Sequence, residues 1–229
     1  MLIIAHRGLS KRYPDNTMPA FEDALRHDPD AIEIDVRKTL DGVLVVRHDR
    51  RFRRSAFAAN YGLGIWGAQV RDMSFATLRS LVPHICTLDQ ALSFVGNRCD
   101  IFVEVKEADI AESVYMMCRS MASRFVIISF YERVIAKIHE IAPSCRKGLI
   151  SCGSSVNNIE AARKYNCFVS IQDFEYIERH ALTPFIEAGI PVIVFTVNVG
   201  EDARKARDMG ARGVITDRCD IAREWFKKD

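Results

Sequence analysis

At 229 residues the chain can bury a sizeable core, as one large α/β domain or two small ones. Its 48% hydrophobic and 27% charged residues are ordinary for a globular protein, and a net charge of +2 offers no basic field for nucleic acid. Seven scattered cysteines without a CxxC pair argue against a structural zinc site or a disulfide framework and for reduced thiols in the cytosol.

The first strand pattern, LIIAH (2–6), starts directly after Met1, and no later apolar run is long enough to span a bilayer. The expectation is a soluble, cytoplasmic protein with no stable membrane anchor. A helical pattern at 18–27 precedes AIEIDV (31–36) and VLVV (43–46), and helical spacing returns at 74–82 and 87–96. Strands IFVEVK (101–106), FVIISF (125–130), GLI (148–150), FVSIQ (168–172), PVIVFTV (191–197) and GVIT (213–216) then alternate with helical patterns at 109–121, 132–141, 155–165, 176–188, 201–209 and 219–227. Such alternation predicts parallel β units closing into a (β/α)8 barrel, and no linker divides it, so residues 1–229 read as one domain.

Nine strand patterns compete for eight barrel positions. Asp41-Gly42 between the second and third is a hairpin signal, so VLVVRHD is expected to fold back on AIEIDV, with His48 roughly opposite Asp35. Residues 50–73 follow no clean period. They carry Arg50, Arg51, Arg53 and Arg54, then Tyr61, Gly62, Gly64 and Trp66, and read as a short insertion serving as a lid or binding loop. The apolar residues of that insertion fall on no single helical face, so it is not expected to anchor the chain to a lipid surface.

Side chains alternate along a strand, so Glu33 and Asp35 share a face, as do Glu104 and Lys106, and Ile4 and His6. At the C-terminal ends of barrel strands, where active sites of this architecture lie, three carboxylates form a hard oxygen set. That set suits Mg²⁺ or Ca²⁺ better than zinc. The plainer explanation is internal ion pairing with Arg7, Arg37 and Lys106. Two histidines converging on the same three carboxylates favour the functional one.

HRG (6–8), the D-N-T-x-x-A-F run (15–21), E-I-D (33–35), D-G-x-L-V-V-x-H-D (41–49), E-V-K (104–106), S-F (129–130), F-T-V-N (195–198) and I-T-D (215–217) occur in this order. This ordered set resembles the glycerophosphodiester phosphodiesterase family, across almost the whole chain. The resemblance implies an irregular (β/α)8 barrel in which Glu33, Asp35 and Glu104 hold a divalent cation, Mg²⁺ or Ca²⁺. It implies His6 and His48 as the acid–base pair, with Arg7 and Lys106 on the phosphate. Three departures stand out: Asp15 replaces a common Glu, Phe195 replaces a common Trp on the substrate-pocket wall, and a Thr-Gly-rich stretch after the HD motif is missing.

The expected activity is metal-dependent hydrolysis of a small-molecule glycerophosphodiester to glycerol 3-phosphate and an alcohol. The alternatives are a lysophospholipase D or another specialised phosphodiesterase on the same fold, or a non-catalytic phosphate-ester binder; a binder has no use for an acid–base pair.

Overall fold

The computed structural model describes residues 1–52, 67–122, 124–152, 156–177 and 182–227. Its strands are β1 (Leu2–His6), β2 (Ala31–Lys38), β3 (Leu44–Val46), β4 (Asp100–Val105), β5 (Phe125–Ser129), β6 (Lys147–Ser151), β7 (Val169–Asp173), β8 (Val192–Phe195) and β9 (Gly213–Thr216). Eight of them form a parallel sheet in the order β1-β9-β8-β7-β6-β5-β4-β2, and β2 pairs back with β1 to close the barrel. The ninth, β3, is antiparallel to β2 and stands outside the ring. It pairs with residues 36–38, beyond the stretch (31–33) that pairs with β1, so the hairpin arm occupies the edge that β1 leaves open. The expected hairpin and closed barrel are both present.

Helices α1 (Met18–Arg26), α2 (Phe75–Leu81), α3 (Leu88–Val95), α4 (Ala111–Met121), α5 (Glu132–Ile141), α6 (Val156–Lys164), α7 (Thr183–Glu187), α8 (Gly200–Asp208) and α9 (Cys219–Ala222) fill the connections. Their starts follow sequence logic. Ser74 accepts from the Thr77 amide at the start of α2, Thr87 and Gln90 form a capping box on α3, and Pro19 sits in the first turn of α1. The helical patterns at 176–188 and 219–227 correspond to the short α7 and α9, with a 3₁₀ turn at Phe174–Tyr176 and another, Arg223–Phe226, following α9; residues 178–181 lie outside the described residues. Pro184 lies in the first turn of α7, a position its missing N–H tolerates only at a helix start.

Strand alternation divides the buried residues into two layers. Ile32, Ile34, Val36, Ile101, Val103 and Val105 face outward onto the helices. Ile4, Ala31, Phe102, Ile128, Ile171 and Ile215 face inward and fill the lower barrel. Two residues further up the same inward rows the chemistry changes: Ile4 leads to His6, Ala31 to Glu33 and Asp35, and Phe102 to Glu104 and Lys106. The apolar layer beneath separates the ionisable groups of the mouth from Asp30, Asp100 and Arg146 at the opposite end of the barrel.

The neck of the 50–73 insertion is described. Arg51 bridges to Gln69, the Phe52 amide donates to Ala68, and Phe52 packs with Val45, Val70, Leu78 and Ile85. The expectations for Arg53, Arg54, Tyr61, Gly62, Gly64 and Trp66 lie outside the described residues. No helix among the described residues is long and apolar enough to cross a membrane.

Candidate active site

His6 ends β1, and the chain turns sharply after it: Arg7 has φ 56° and Gly8 φ 84°. A Cβ on Gly8 would come within 2.7 Å of the Ala20 backbone, so only glycine allows α1 to pack this close. The turn aims the Arg7 amide at Glu33 Oε2, 3.2 Å away. Its side chain runs back over the site, with Nε 3.1 Å from Asp35 Oδ2 and Nη1 3.1 Å from Asp15. Left-handed backbone at a non-glycine residue is strained, and such strain gathers at functional sites.

Register brings the acids together. His6 lies level with Glu33, and Asp35 level with Glu104, on adjacent strands. All three carboxylates are buried, and each offers an oxygen within 4.8 Å of the other two. Lys106 Nζ sits 2.9 Å from Asp35 Oδ1 and 2.5 Å from Glu104 Oε1. Asn16 completes the grip on Asp35. Its Nδ2 donates to Asp35 Oδ2 at 2.8 Å, and the Asp35 amide donates to its Oδ1 at 3.2 Å.

The electrostatics divide the three acids. Burial and the neighbouring charges of Asp35 and Glu104 push Glu33 well above the usual carboxylate range. Burial, again the largest cause, raises Glu104 to about 7 against the pull of Lys106. Burial also opposes the charge on Asp35, but Lys106 and Arg7 outweigh it and hold that carboxyl below its ordinary value. With three acids facing two cations, the cluster has an unmet demand for positive charge. An all-oxygen donor set of this compactness fits a hard divalent cation such as Mg²⁺ or Ca²⁺. Of the three cations weighed as internal partners, Arg7 and Lys106 do pair with the acids, whereas Arg37 pairs with Glu107 at 3.2 Å.

Both histidines sit at this mouth, each with Nδ1 on a carboxylate. His6 Nδ1 is 2.7 Å from Asp217 Oδ1, and His48 Nδ1 is 2.9 Å from Asp49 Oδ1. Among the described residues neither Nε2 has a hydrogen-bond partner, which leaves that nitrogen open to act. The hairpin register sets Arg47, rather than His48, opposite Asp35: the Arg47 amide donates to the Asp35 carbonyl at 2.8 Å, and His48 follows one residue later. The extra residue reflects β3 ending at Val46, before the loop that carries His48. Arg37 Nε holds the His48 carbonyl at 2.8 Å. Burial lowers the His48 pKa, with Lys106 and Arg7 adding to it and Asp35 opposing.

Phe195, at the end of β8, meets Phe130 edge to face at 6.0 Å, and the Lys106 ammonium lies 5.8 Å from the Phe130 ring centroid. The aromatic wall thus adjoins the charged half of the mouth through one residue. Sequence patterns alone assign no role to Asp217, Asn16 or Asp49, and read Arg37 only as an internal ion partner, although I-T-D, D-N-T and H-D are visible as motifs.

A barrel mouth with a compact carboxylate set, two cations and two carboxylate-backed histidines has the groups that phosphoryl-transfer chemistry requires. Residues 6–221 match the model of the glycerophosphoryl diester phosphodiesterase family, and the chain belongs to that family. A glycerophosphodiester phosphodiesterase of Caldanaerobacter subterraneus subsp. tengcongensis is 26% identical, over 94% of this chain and 93% of its own length. The crystal structure of the Thermotoga maritima glycerophosphodiester phosphodiesterase superposes with a TM-score of 0.83 at 27% identity, covering 98% of this chain and 97% of that one. A phosphodiesterase of Oleispira antarctica, solved with the product sn-glycerol-3-phosphate, shares the fold with a TM-score of 0.86 at 18% identity, covering 100% of this chain and 97% of that one.

Proposed function

We propose that the protein hydrolyses small-molecule glycerophosphodiesters to glycerol 3-phosphate and an alcohol, with the three-carboxylate cluster holding a divalent cation. The observation that carries this is the cluster itself: Glu33, Asp35 and Glu104 buried together with two cations for three acids. Held by Glu33, Asp35 and Glu104, a divalent cation such as Mg²⁺ or Ca²⁺ would supply Lewis acidity toward the phosphate. Arg7 and Lys106 orient the phosphate and offset its charge as the transition state develops. His48, whose pKa burial lowers, takes the proton of the attacking oxygen at Nε2. That oxygen bonds to phosphorus, the bond from phosphorus to the alcohol oxygen breaks, and His6 Nε2 gives the departing oxygen its proton. Phe130 and Phe195 form the apolar wall against which the carbon part of the substrate lies.

Release of glycerol 3-phosphate from glycerophosphocholine, with and without EDTA, tests the activity. Glu33→Gln removes one charge and keeps the shape, so Mg²⁺ and Ca²⁺ binding by calorimetry should weaken together with turnover. Unchanged metal affinity in that variant removes Glu33 from the ligand set.

A further inference from the structure

Arg47 interrupts the run Leu44-Val45-Val46 immediately before His48. Its backbone is fixed beside the site by the bond from its amide to the Asp35 carbonyl. The side chain is half-buried, its guanidinium carbon 4.3 Å from the centroid of the Phe52 ring. Stacking engages only the face of the guanidinium and leaves its in-plane N–H groups available. Nε is shielded from solvent without a hydrogen-bond partner, and no carboxylate among the described residues forms an ion pair with this arginine. The acids whose charge it feels, Asp49 and Asp15, are engaged with His48 and Arg7.

A guanidinium with its plane locked and no hydrogen-bond partner on its fork among the described residues is a receptor for a planar or tetrahedral oxyanion. The scissile phosphate already has Arg7 and Lys106, so Arg47 is surplus to the reaction. We infer that Arg47 receives a second anionic group, a phosphodiester or a carboxylate, carried by the alcohol part of the substrate. The site then favours glycerophosphodiesters with acidic headgroups. This rests on the phosphodiesterase reading above and names the substrates within it. Arg47 acts as a specificity residue, and the chemistry at the scissile bond stays with the groups already described.

Two matched substrate pairs test it, each cleaved at an equivalent bond. Bis(glycerophosphoryl)glycerol differs from glycerophosphoglycerol by a second phosphodiester, and glycerophosphoserine differs from glycerophosphoethanolamine by a carboxylate. The readout is the ratio of kcat/KM within each pair, for the wild type, Arg47→Met and Arg47→Lys. Methionine keeps the contact with Phe52 and should lower the preference for the acidic member roughly tenfold, mainly through KM. Lysine keeps the charge without the fork and should retain part of it. The pair that responds identifies the anion. An equal loss on all four substrates marks a structural role and overturns the inference, as does an unchanged ratio in both pairs. A wild type inactive on all four, with folding checked by circular dichroism, removes the phosphodiesterase reading and this inference with it; activity with unaltered ratios removes this inference alone.

Discussion

The two histidines at the mouth are supported in different ways. His6 is held from across the molecule: Asp217 is 211 residues away in sequence, and its carboxylate also accepts from Ser10 at 2.8 Å and Asn198 at 2.7 Å. His48 is held by its own neighbour, Asp49, on an arm that lies outside the closed ring. Side-chain exposures follow the same division, 16% and 27% for His6 and Asp217 against 36% and 34% for His48 and Asp49. One histidine is thus positioned by barrel closure and the other by a hairpin. The first needs the whole fold to be correct, whereas the second can adjust with the arm.

The largest test of that difference removes the imidazoles. His6→Ala and His48→Ala should each lower turnover by about two orders of magnitude or more, as expected for loss of a general acid or base. If either variant kept near-normal kcat for glycerophosphocholine, its place in the reaction would be withdrawn. Removing the supporting charges is gentler and separates the two. Asp217→Asn should reduce kcat by roughly ten- to a hundredfold, because the amide no longer stabilises the protonated imidazole that gives up its Nε2 proton. Asp49→Asn should cost less than about tenfold, since Arg37 still holds the His48 backbone. Measured pH–rate profiles would show whether the apparent pKa of the acid falls when its carboxylate partner is neutralised. Equal effects of the two Asn variants would erase the distinction between the two histidines.

The same contrast explains which parts of the site can be read from sequence. Alternation within one strand is a local rule, so Glu33 with Asp35, and Glu104 with Lys106, are legible as shared faces in the order of the amino acids alone. The Asp-Gly turn is equally local, and it resolves nine strand patterns into eight barrel strands and one arm. The partnership of His6 with Asp217 is hidden because it depends on register. Ala5 pairs with Thr216 only once β9 has closed against β1, and closure then sets His6 level with Asp217. Asn16 is hidden for a related reason. Its φ of 59° places it in a left-handed turn that reaches Asp35 across 19 positions, and no periodic pattern records such a turn. The one-residue offset of His48 from Asp35 follows from where a three-residue strand stops, and strand ends are poorly marked in sequence.

The smallest expected effect is on stability in acid, and it belongs to the long-range partnership alone. Burial works against the charge of Asp217, but the hydrogen bonds and charge of His6, with those of Asn198 and Ser10, lower its pKa from 3.8 to about 2. A carboxyl depressed in the folded state binds its proton more readily in the unfolded chain. Its contribution is therefore fully present above about pH 4 and is lost as pH falls toward 2. A shift of this size corresponds to about 2 kcal/mol at 1.36 kcal/mol per unit. Other carboxylates titrate in the same window, so the informative quantity is the difference between wild type and Asp217→Asn in urea unfolding from pH 6 to pH 2. That difference should be about 2 kcal/mol at pH 6 and shrink steadily toward zero in acid, while Asp49→Asn should show a smaller change on a more exposed pair. A wild type and an Asp217→Asn variant whose stabilities run parallel over the whole range would mean that barrel closure does not hold His6 through the ionised carboxylate.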